Sequence, residues 1–202
     1  QPALAVKELT ARGGLGPLSF DVHYGEVLGV AGLVGSGRSE LMRALFGVRA
    51  RSGGAVELDG RSIELDNPTA ALREGVFMLP VDRTTEGRFP DVDVLENLVV
   101  TRPRTEATRL RRAVLDNGAE RSAWQRVQEL FAVKTHSPTQ LVSTLSGGNQ
   151  QKVMLGRALV SEARILLLNE PTRGVDVGTK AEIHELVRDL AREGHAVIVS
   201  SS

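Results

Sequence analysis

The stretch VLGVAGLVGSGRSE, residues 27–40, joins an apolar run to a glycine-rich turn and the start of a helix. Val27–Ala31 is a short apolar run that predicts a strand. The segment from about Arg38 to Phe46 has helical spacing of its apolar residues, and Gly47 follows as a good helix-ending residue. Between the two, glycines let consecutive backbone N–H groups point into the loop, where the helix N-terminus adds partial positive charge. The stretch therefore predicts a strand, a phosphate-binding loop and a helix.

This loop follows the template G-x-x-x-x-G-K-[ST], except that arginine replaces the lysine. The candidate nucleotide-binding residues in it are Gly32, Gly35, Ser36, Gly37, Arg38, Ser39 and Glu40. Ser39 is expected to offer its hydroxyl oxygen to Mg²⁺, and the carboxylate of Glu40 suits a helix N-terminus but repels phosphates if it points inward. Arg38 has a wide planar fork in place of a compact ammonium, so we expect binding to survive better than hydrolysis. A glycine-rich turn without a ligand has the same spacing, so the loop alone leaves nucleotide binding open.

The composition of the chain excludes several classes of protein. With 202 residues and 41% hydrophobic content, the chain is long enough to fold as one globular unit around a core. Lys plus Arg and Asp plus Glu both number 25, so no basic field is present to attract nucleic acid. The absence of cysteine excludes disulfides and thiolate metal sites, and no apolar run approaches the roughly 20 residues that cross a bilayer. The chain starts at Gln1 and stops after an apolar run, so we expect it to be part of a longer polypeptide.

The order of apolar and helical segments predicts an α/β fold with a mostly parallel core sheet. The predicted strands are Ala3–Leu9, Leu18–Val22, Val27–Ala31, Ala55–Leu58, Val76–Leu79, Ile165–Leu168 and Ala196–Val199. Asp59-Gly60 is a turn signal of the kind found in hairpins. Strand signals stop between Pro80 and about Ser161. We therefore predict a single domain, 1–202, with a nucleotide-binding core over 1–79 and 162–202 and an inserted helical subdomain over 80–161.

A second motif, LSGGNQQK, covers residues 145–152. It predicts a helix beginning near Asn149, where the Ser146 hydroxyl, the Gly147 and Gly148 amides and the helix dipole converge on a phosphate. A serine-capped helix start without a ligand is the alternative. The motif resembles the signature of ATP-binding cassette (ABC) proteins. That resemblance implies a P-loop NTPase fold with an antiparallel β part, and a signature that serves the nucleotide held by the opposite cassette.

The run Ile165–Thr172 resembles the Walker B strand of the same family. The resemblance implies that Glu170 is the general base of ATP hydrolysis and that ATP and Mg²⁺ are the cofactors. Asn169 stands where the family has the aspartate beside Mg²⁺, so metal affinity is expected to fall, with Ser39 and Asn169 as the residues at the metal. Gly174-Val175-Asp176 matches the D-loop of the family, which crosses the dimer interface, and the resemblance makes Asp176 a candidate nucleotide-binding residue.

Three further departures predict a degenerate site. No glutamine is present in residues 77–83, where the family has its Q-loop, and Ser201 aligns with the usual switch histidine. No aromatic residue precedes Phe20, so the usual adenine-stacking ring is missing. The isolated domain is therefore expected to bind ATP weakly or hydrolyse it slowly.

Within the family, the chain resembles the second cassette of the tandem ATP-binding subunits of bacterial monosaccharide importers, of the ribose, galactose and xylose kind. The cues are the residue runs 32–41, 80–83, 146–153 and 170–178, although Val81 and Asn169 depart from that pattern. The expected partners are a second ABC cassette on the same polypeptide, transmembrane permease subunits and, indirectly, a periplasmic or extracellular sugar-binding protein. No nucleic acid is expected, and the expected location is peripheral, on the cytoplasmic face of the cell membrane.

Two other functions stay open at this point. One is a non-transport ABC ATPase of DNA repair or translation, although such proteins usually carry coiled coils or basic surfaces that are not evident here. The other is a structural pseudo-ATPase that binds no nucleotide and stabilises its partner.

Overall fold

The computed structural model describes residues 1–33, 35–101 and 117–201, which form eight strands and six α-helices. The strands are β1 (Leu4–Ala11), β2 (Leu15–Val22), β3 (Val27–Ala31), β4 (Arg51–Leu58), β5 (Arg61–Ser62), β6 (Val76–Leu79), β7 (Ile165–Asn169) and β8 (Ala196–Ser201). The helices are α1 (Arg38–Leu45), α2 (Pro68–Arg73), α3 (Val94–Val99), α4 (Asn117–Phe131), α5 (Gly147–Val160) and α6 (Val177–Arg192). Among the described residues, no helix is both long enough and apolar enough to span a membrane.

A four-stranded parallel sheet in the order β3-β8-β7-β6 forms the centre of the molecule. All five residues of β7 are buried, as expected for a strand covered on both faces. Ile165 and Leu167 pack into one apolar cluster with α1 and the other sheet, whereas Leu166 and Leu168 pack into a second cluster with helices α3 to α6. Alternate residues of β7 therefore contribute to two different apolar clusters, one on each face of the parallel sheet.

The second sheet is antiparallel and has the order β2-β1-β4-β5. Its β4–β5 hairpin pairs Leu58 with Arg61, so the connecting turn is Asp59-Gly60, as predicted. Asp59 and Gly60 have φ angles of 51° and 76°, the left-handed conformation that a tight hairpin turn of this kind requires at both positions. The α/β fold with a parallel core sheet and an antiparallel part is confirmed.

The seven predicted strands are all present, and the bounds of β3 and β6 are the predicted ones. The other five strands are longer than predicted by one to four residues at an end, or shifted by a residue. The two-residue strand β5 was not predicted.

Within the described part of residues 80–161, the regular elements are helices and helical turns joined by loops. A one-turn π-helix covers Arg83–Gly87 and a 3₁₀ turn covers Val142–Thr144, in addition to α3, α4 and α5. The limits of the helical subdomain remain a prediction, because residues 102–116 lie outside the described residues and these helices share one apolar cluster with the parallel sheet.

A buried arginine on α5 forms hydrogen bonds to α3. The Nε and Nη2 atoms of Arg157 donate to the backbone oxygen and Oδ1 of Asn97 at 2.6 and 2.7 Å, and Nη1 donates to the carbonyl of Gly87. The guanidinium also lies 5.9 Å from the ring centroid of Phe89. Burial lowers the pKa of Arg157 to about 10, and the guanidinium stays charged at neutral pH. These contacts position α5, whose first turn carries the second sequence motif.

Candidate functional site

The carboxyl ends of neighbouring parallel strands bring the first group of predicted residues together. Strand β8 lies between β3 and β7, so the glycine-rich loop after β3 faces Asn169 and Glu170 at the end of β7. This edge is where ligands bind in open α/β sheets. We call residues 32–40 together with Asn169 and Glu170 the pocket region.

The loop of the pocket region has a backbone that fits a phosphate. Gly37 caps helix α1 with φ 92° and no side-chain bond, so the first amides of α1 face the loop. A Cβ on Gly32 would lie 2.5 Å from Ser36 Oγ, so a larger residue there would displace the serine. Residue Val34 lies outside the described residues. The cradle therefore depends on glycine at these positions, as a phosphate loop does.

Arg38 and Glu170, which are 132 positions apart, form an ion pair across the pocket region. Arg38 Nη1 lies 2.8 Å from Glu170 Oε1, and the two side chains are 9% and 16% exposed. Glu170 has φ 52°, an uncommon conformation for glutamate, and its amide donates to the backbone oxygen and Oγ of Ser200 at 3.1 and 3.2 Å. The cation in the lysine position is thus directed to the predicted general base.

Asn169 is almost fully buried, at 1% exposed, and lies at the predicted metal position. Its Oδ1 accepts from Ser200 Oγ at 2.7 Å and from Ser39 Oγ at 3.4 Å. Both predicted metal residues are therefore adjacent, but each offers only a neutral oxygen. Within the described ranges, no cluster of three His, Asp or Glu side chains is suited to hold a metal. The residues fit Mg²⁺ only as an ion whose negative partners are nucleotide phosphates.

Glu40 lies on the first turn of α1, and its carboxylate is bound rather than free. Oε2 accepts from Arg49 Nε at 2.7 Å. The repulsion of phosphates that an inward carboxylate would cause is offset in part by this arginine.

The second group of predicted residues lies at the start of α5. The predicted helix is present, and it begins at Gly147, two residues before the predicted start near Asn149. Ser146 is the N-cap, and its Oγ accepts from the amide of Asn149 at 3.4 Å and from Asn149 Nδ2 at 2.9 Å. Because this cap bonds to the third helical residue, both glycines belong to the first turn.

Packing explains why glycines occupy this first turn. A Cβ on Gly148 would lie 2.6 Å from Thr179 Cγ2, and a Cβ on Gly147 would lie 2.8 Å from Arg83 Nη2. Asp176 caps α6 by accepting from Thr179 N at 3.0 Å and Thr179 Oγ1 at 2.7 Å. These hydrogen bonds from Thr179 lower the pKa of the Asp176 carboxyl. Thr179 therefore contacts both Asp176 and the first turn of α5 at Gly148.

Two further contacts fix α5 to the segment after β7. Gln151 Nε2 donates to the carbonyl of Pro171 at 2.7 Å, and Lys152 Nζ lies 2.7 Å from Glu182 Oε2 on α6. We call Ser146–Gly148 together with residues 171–176 the helix-start region.

The predicted residues thus form two separately bonded groups. Arg38, Ser39 and Glu40 bond to Glu170, Asn169 and Arg49, whereas the cap Ser146 bonds to Asn149.

Sequence reasoning missed Ser200, Thr179 and Arg83 as residues of the site. The sequence signal nearest to Ser200 was Ser201, the residue predicted at the switch position, but Ser201 is exposed at the end of β8 and Ser200 is buried against Asn169. The signal nearest to Arg83 was the residue run 80–83.

The chain matches known proteins along most of its length. The family model described as ABC transporter matches residues 15–173. The chain is 45% identical over 199 residues to a putative ribose/galactose/methyl galactoside import ATP-binding protein 2 of Rhizobium meliloti (strain 1021), covering 98% of this chain and 38% of that protein. It is 43% identical over 200 residues to ribose import ATP-binding protein RbsA 2 of Streptomyces avermitilis, covering 99% of this chain and 39% of that protein.

Solved structures match the fold over the whole chain. A nucleotide-free ATP-binding cassette from an ABC transporter has a TM-score of 0.83 at 21% identity, covering 100% of this chain and 82% of that one. The ADP conformation of another such cassette has a TM-score of 0.81 at 21% identity, covering 100% and 81%. The chain spans about two-fifths of the length of the curated relatives it matches.

Proposed function

The chain belongs to the ABC transporter family, and from this premise we propose that it is a sugar-importer cassette that acts mainly on the nucleotide of a partner cassette. The relatives named as ribose, galactose or methyl galactoside import proteins support the substrate class. They are much longer than this chain, which leaves room for a second cassette on the same polypeptide. Closure of the two cassettes on ATP would couple hydrolysis to transport.

The ion pair between Arg38 and Glu170 is the observation that carries this proposal. ATP phosphates entering the loop must compete with Glu170 for the guanidinium, which lies 2.8 Å from Oε1. Glu170 must also turn from the arginine toward a water molecule before it acts as a base. Both steps oppose catalysis, so this chain's own pocket is expected to bind ATP weakly or hydrolyse it slowly.

Asn169 adds to this weakness. An aspartate in its place would bring a full negative charge to the metal, whereas the amide Oδ1 is neutral and already accepts from Ser200 and Ser39. The loop amides would hold the phosphates, and Ser39 Oγ with Asn169 Oδ1 would hold Mg²⁺. When bound, Mg²⁺ would neutralise charge on the β- and γ-phosphates.

The helix-start region is better prepared for catalysis in the partner's site. Ser146 is exposed and Gly147 is half-buried, so the positive end of α5 is open to solvent at these two residues. They would stabilise charge that develops on a γ-phosphate held by the opposite cassette. A preorganised donor of this kind contributes about 2.7–4 kcal/mol to transition-state stabilisation.

The remaining parts of the proposal follow the same resemblance. The chain would lie peripherally at the cytoplasmic face of the membrane, bound to transmembrane permease subunits that receive sugar from a periplasmic or extracellular binding protein. The importer names of the relatives disfavour a role in DNA repair or translation. Equilibrium ATP binding with and without Mg²⁺ would separate this proposal from a structural pseudo-ATPase, which would bind neither form.

The direct test is sedimentation and phosphate release measured on the same preparation. We expect the isolated chain to be a monomer with little or no ATPase activity, because its loop and its signature cannot serve one nucleotide without a second cassette. Activity should appear on assembly with the partner cassette. Turnover at rates typical of ABC ATPases in a demonstrably monomeric sample would contradict the proposal.

A further inference from the structure

Arg83 occupies a junction that the function proposed above does not use. It follows strand β6 and begins the one-turn helix Arg83–Gly87. Asp82 caps that turn, because its Oδ1 accepts from the amides of Thr84 and Thr85 at 2.7 and 3.2 Å. These two hydrogen bonds lower the pKa of the Asp82 carboxyl. The turn that begins at Arg83 is therefore fixed by its own cap.

The guanidinium of Arg83 bridges two successive carbonyls of the segment after β7. Nη1 donates to the oxygen of Arg173 at 3.0 Å, and Nη2 donates to the oxygen of Gly174 at 3.1 Å. A planar fork can make two such bonds at once, which a lysine ammonium on a flexible stem does with less directional control. Arg83 thus fixes the orientation of this segment, and not merely its distance from β6.

The same guanidinium lies against the first turn of α5. A Cβ on Gly147 would be 2.8 Å from Arg83 Nη2 and 3.5 Å from the oxygen of Gly174. Three segments therefore meet at one side chain: the turn after β6, the segment 171–176 and the start of α5. Gln151 strengthens the same junction by bonding to Pro171.

We propose that Arg83 is a positioning residue, which holds the segment 171–176 and the first turn of α5 in the relative orientation that meets the partner cassette's nucleotide. This inference rests on the proposed function. Arg83 itself touches no reacting group. It acts through Gly147 and Gly174, and it links their orientation to β6 and the turn that follows.

The test is steady-state ATPase activity of the assembly of this chain with its partner cassette. Arg83→Gln removes the fork and should lower kcat on the order of tenfold to a hundredfold, the range for a displaced catalytic group, while KM for Mg-ATP changes less than about twofold. Arg83→Lys keeps the charge and should fall between Arg83→Gln and the native protein. The matched control is Arg188→Gln on the exposed face of α6, where the arginine bonds to Glu185, and it should leave kcat unchanged.

A double-mutant cycle with Gly147→Ala tests the contact itself. In the native background the added methyl group meets the guanidinium and should lower kcat. In the Arg83→Gln background the methyl group has more room, so its further effect should be smaller and the two losses should not multiply. Fully multiplicative losses would overturn the proposal, as would an Arg83→Gln variant that behaves like Arg188→Gln.

Thermal unfolding of every variant separates positioning from misfolding. If Arg83→Gln fails to fold, Arg83→Lys decides: a lower kcat at native Tm supports the proposal, and a native kcat overturns it. Ser146→Arg, measured in parallel, distinguishes a failure of the role of Arg83 from a failure of the proposed function. If it abolishes hydrolysis while Arg83→Gln has no effect, only the role of Arg83 fails. If Ser146→Arg leaves hydrolysis intact, the proposed function fails and this inference falls with it.

Discussion

In the pocket region the functional side chains bond to one another, whereas in the helix-start region they are held by neighbours that have no direct part in catalysis. Arg38 bonds to Glu170 and Ser39 contacts Asn169. By contrast, the turn that begins at Ser146 is packed against Thr179 and Arg83, and Ser146 is an exposed residue. A ligand that enters the first region must break existing contacts, but a phosphate that meets the second finds donors already oriented.

Under the proposed function, this difference explains how a cassette with a weak pocket of its own can still serve a partner's nucleotide. Substitutions that let pocket residues satisfy each other reduce only the chain's own site. Preorganisation of the helix-start region depends on residues elsewhere, so it can persist while the pocket degenerates.

The largest effect on the free energy of unfolding is expected where packing fixes the helix-start region. Gly148→Ala would bring a methyl group within 2.6 Å of Thr179 Cγ2, and Gly148 is buried. We expect the free energy of unfolding to fall by about 1–3 kcal/mol, as for other overpacked sites, and ATPase activity of the assembly to fall with it. Gly16→Ala is the matched control, since no atom lies within 4 Å of its added Cβ. Equal losses in the two variants by denaturant titration would show that packing at Gly148 is unimportant.

An intermediate effect is expected in the pocket region. Arg38→Lys releases the fork from Glu170, and Asn169→Asp adds a charge at the metal, so each should tighten Mg-ATP binding by about tenfold, or about 1.4 kcal/mol. Because both act on one phosphate and metal cluster, the double variant should bind more tightly than either single variant, with coupled effects.

Calorimetry measures these affinities, with Arg126→Lys as an exposed control that should leave binding unchanged. Absent effects would mean that the pocket is weak for another reason, such as the missing adenine-stacking ring, and strictly additive effects would contradict the coupling through one phosphate and metal cluster.

The smallest effect concerns the cap of α6. Asp176→Ala removes the acceptor for Thr179 N and should lower Tm by about 2–4 °C, whereas Asp176→Asn keeps an acceptor and should lower it less. The carboxyl pKa is lowered in the folded state from its usual 3.8, so this stabilisation is complete above that value and is lost as pH falls through the lowered pKa. Thermal unfolding between pH 7 and pH 2 should show the advantage of the native protein over both variants shrinking as the pH falls. A constant difference across that range would exclude the carboxylate as its source.

The sequence pattern predicted the bounds of the parallel strands well and the bounds of the antiparallel strands less well. Strands β3 and β6 are continuous apolar runs, so composition alone marks their ends. Strand β2 begins before Pro17, and β4 includes Gly53 and Gly54, residues that weaken any strand signal but are accepted at edges and irregular pairings.

Contacts between distant residues were beyond the reach of sequence reasoning. Motifs predicted which residues gather at the sheet edge, but not that Arg38 would bond to Glu170, because that pairing depends on how two strand ends are placed in space. For the same reason, the sequence pattern did not predict the cap role of Asp176 or the junction at Arg83, which depend on three-dimensional contacts. The assignment of these residues to nucleotide binding stays a prediction.

The central claim is that the helix-start region, and not the pocket region, is this chain's main contribution to hydrolysis. Steady-state ATPase activity of Ser146→Arg and Gly37→Val, each in the assembly with the partner cassette, tests it most directly. Ser146→Arg places a bulky cation on the helix end and should lower activity by about a hundredfold or more. Gly37→Val forces a branched residue into the loop at φ 92°, and it should reduce activity less, because only the weak pocket is destroyed. Equal losses, or a larger loss from Gly37→Val, would contradict the account and make the chain's own pocket the main site of hydrolysis.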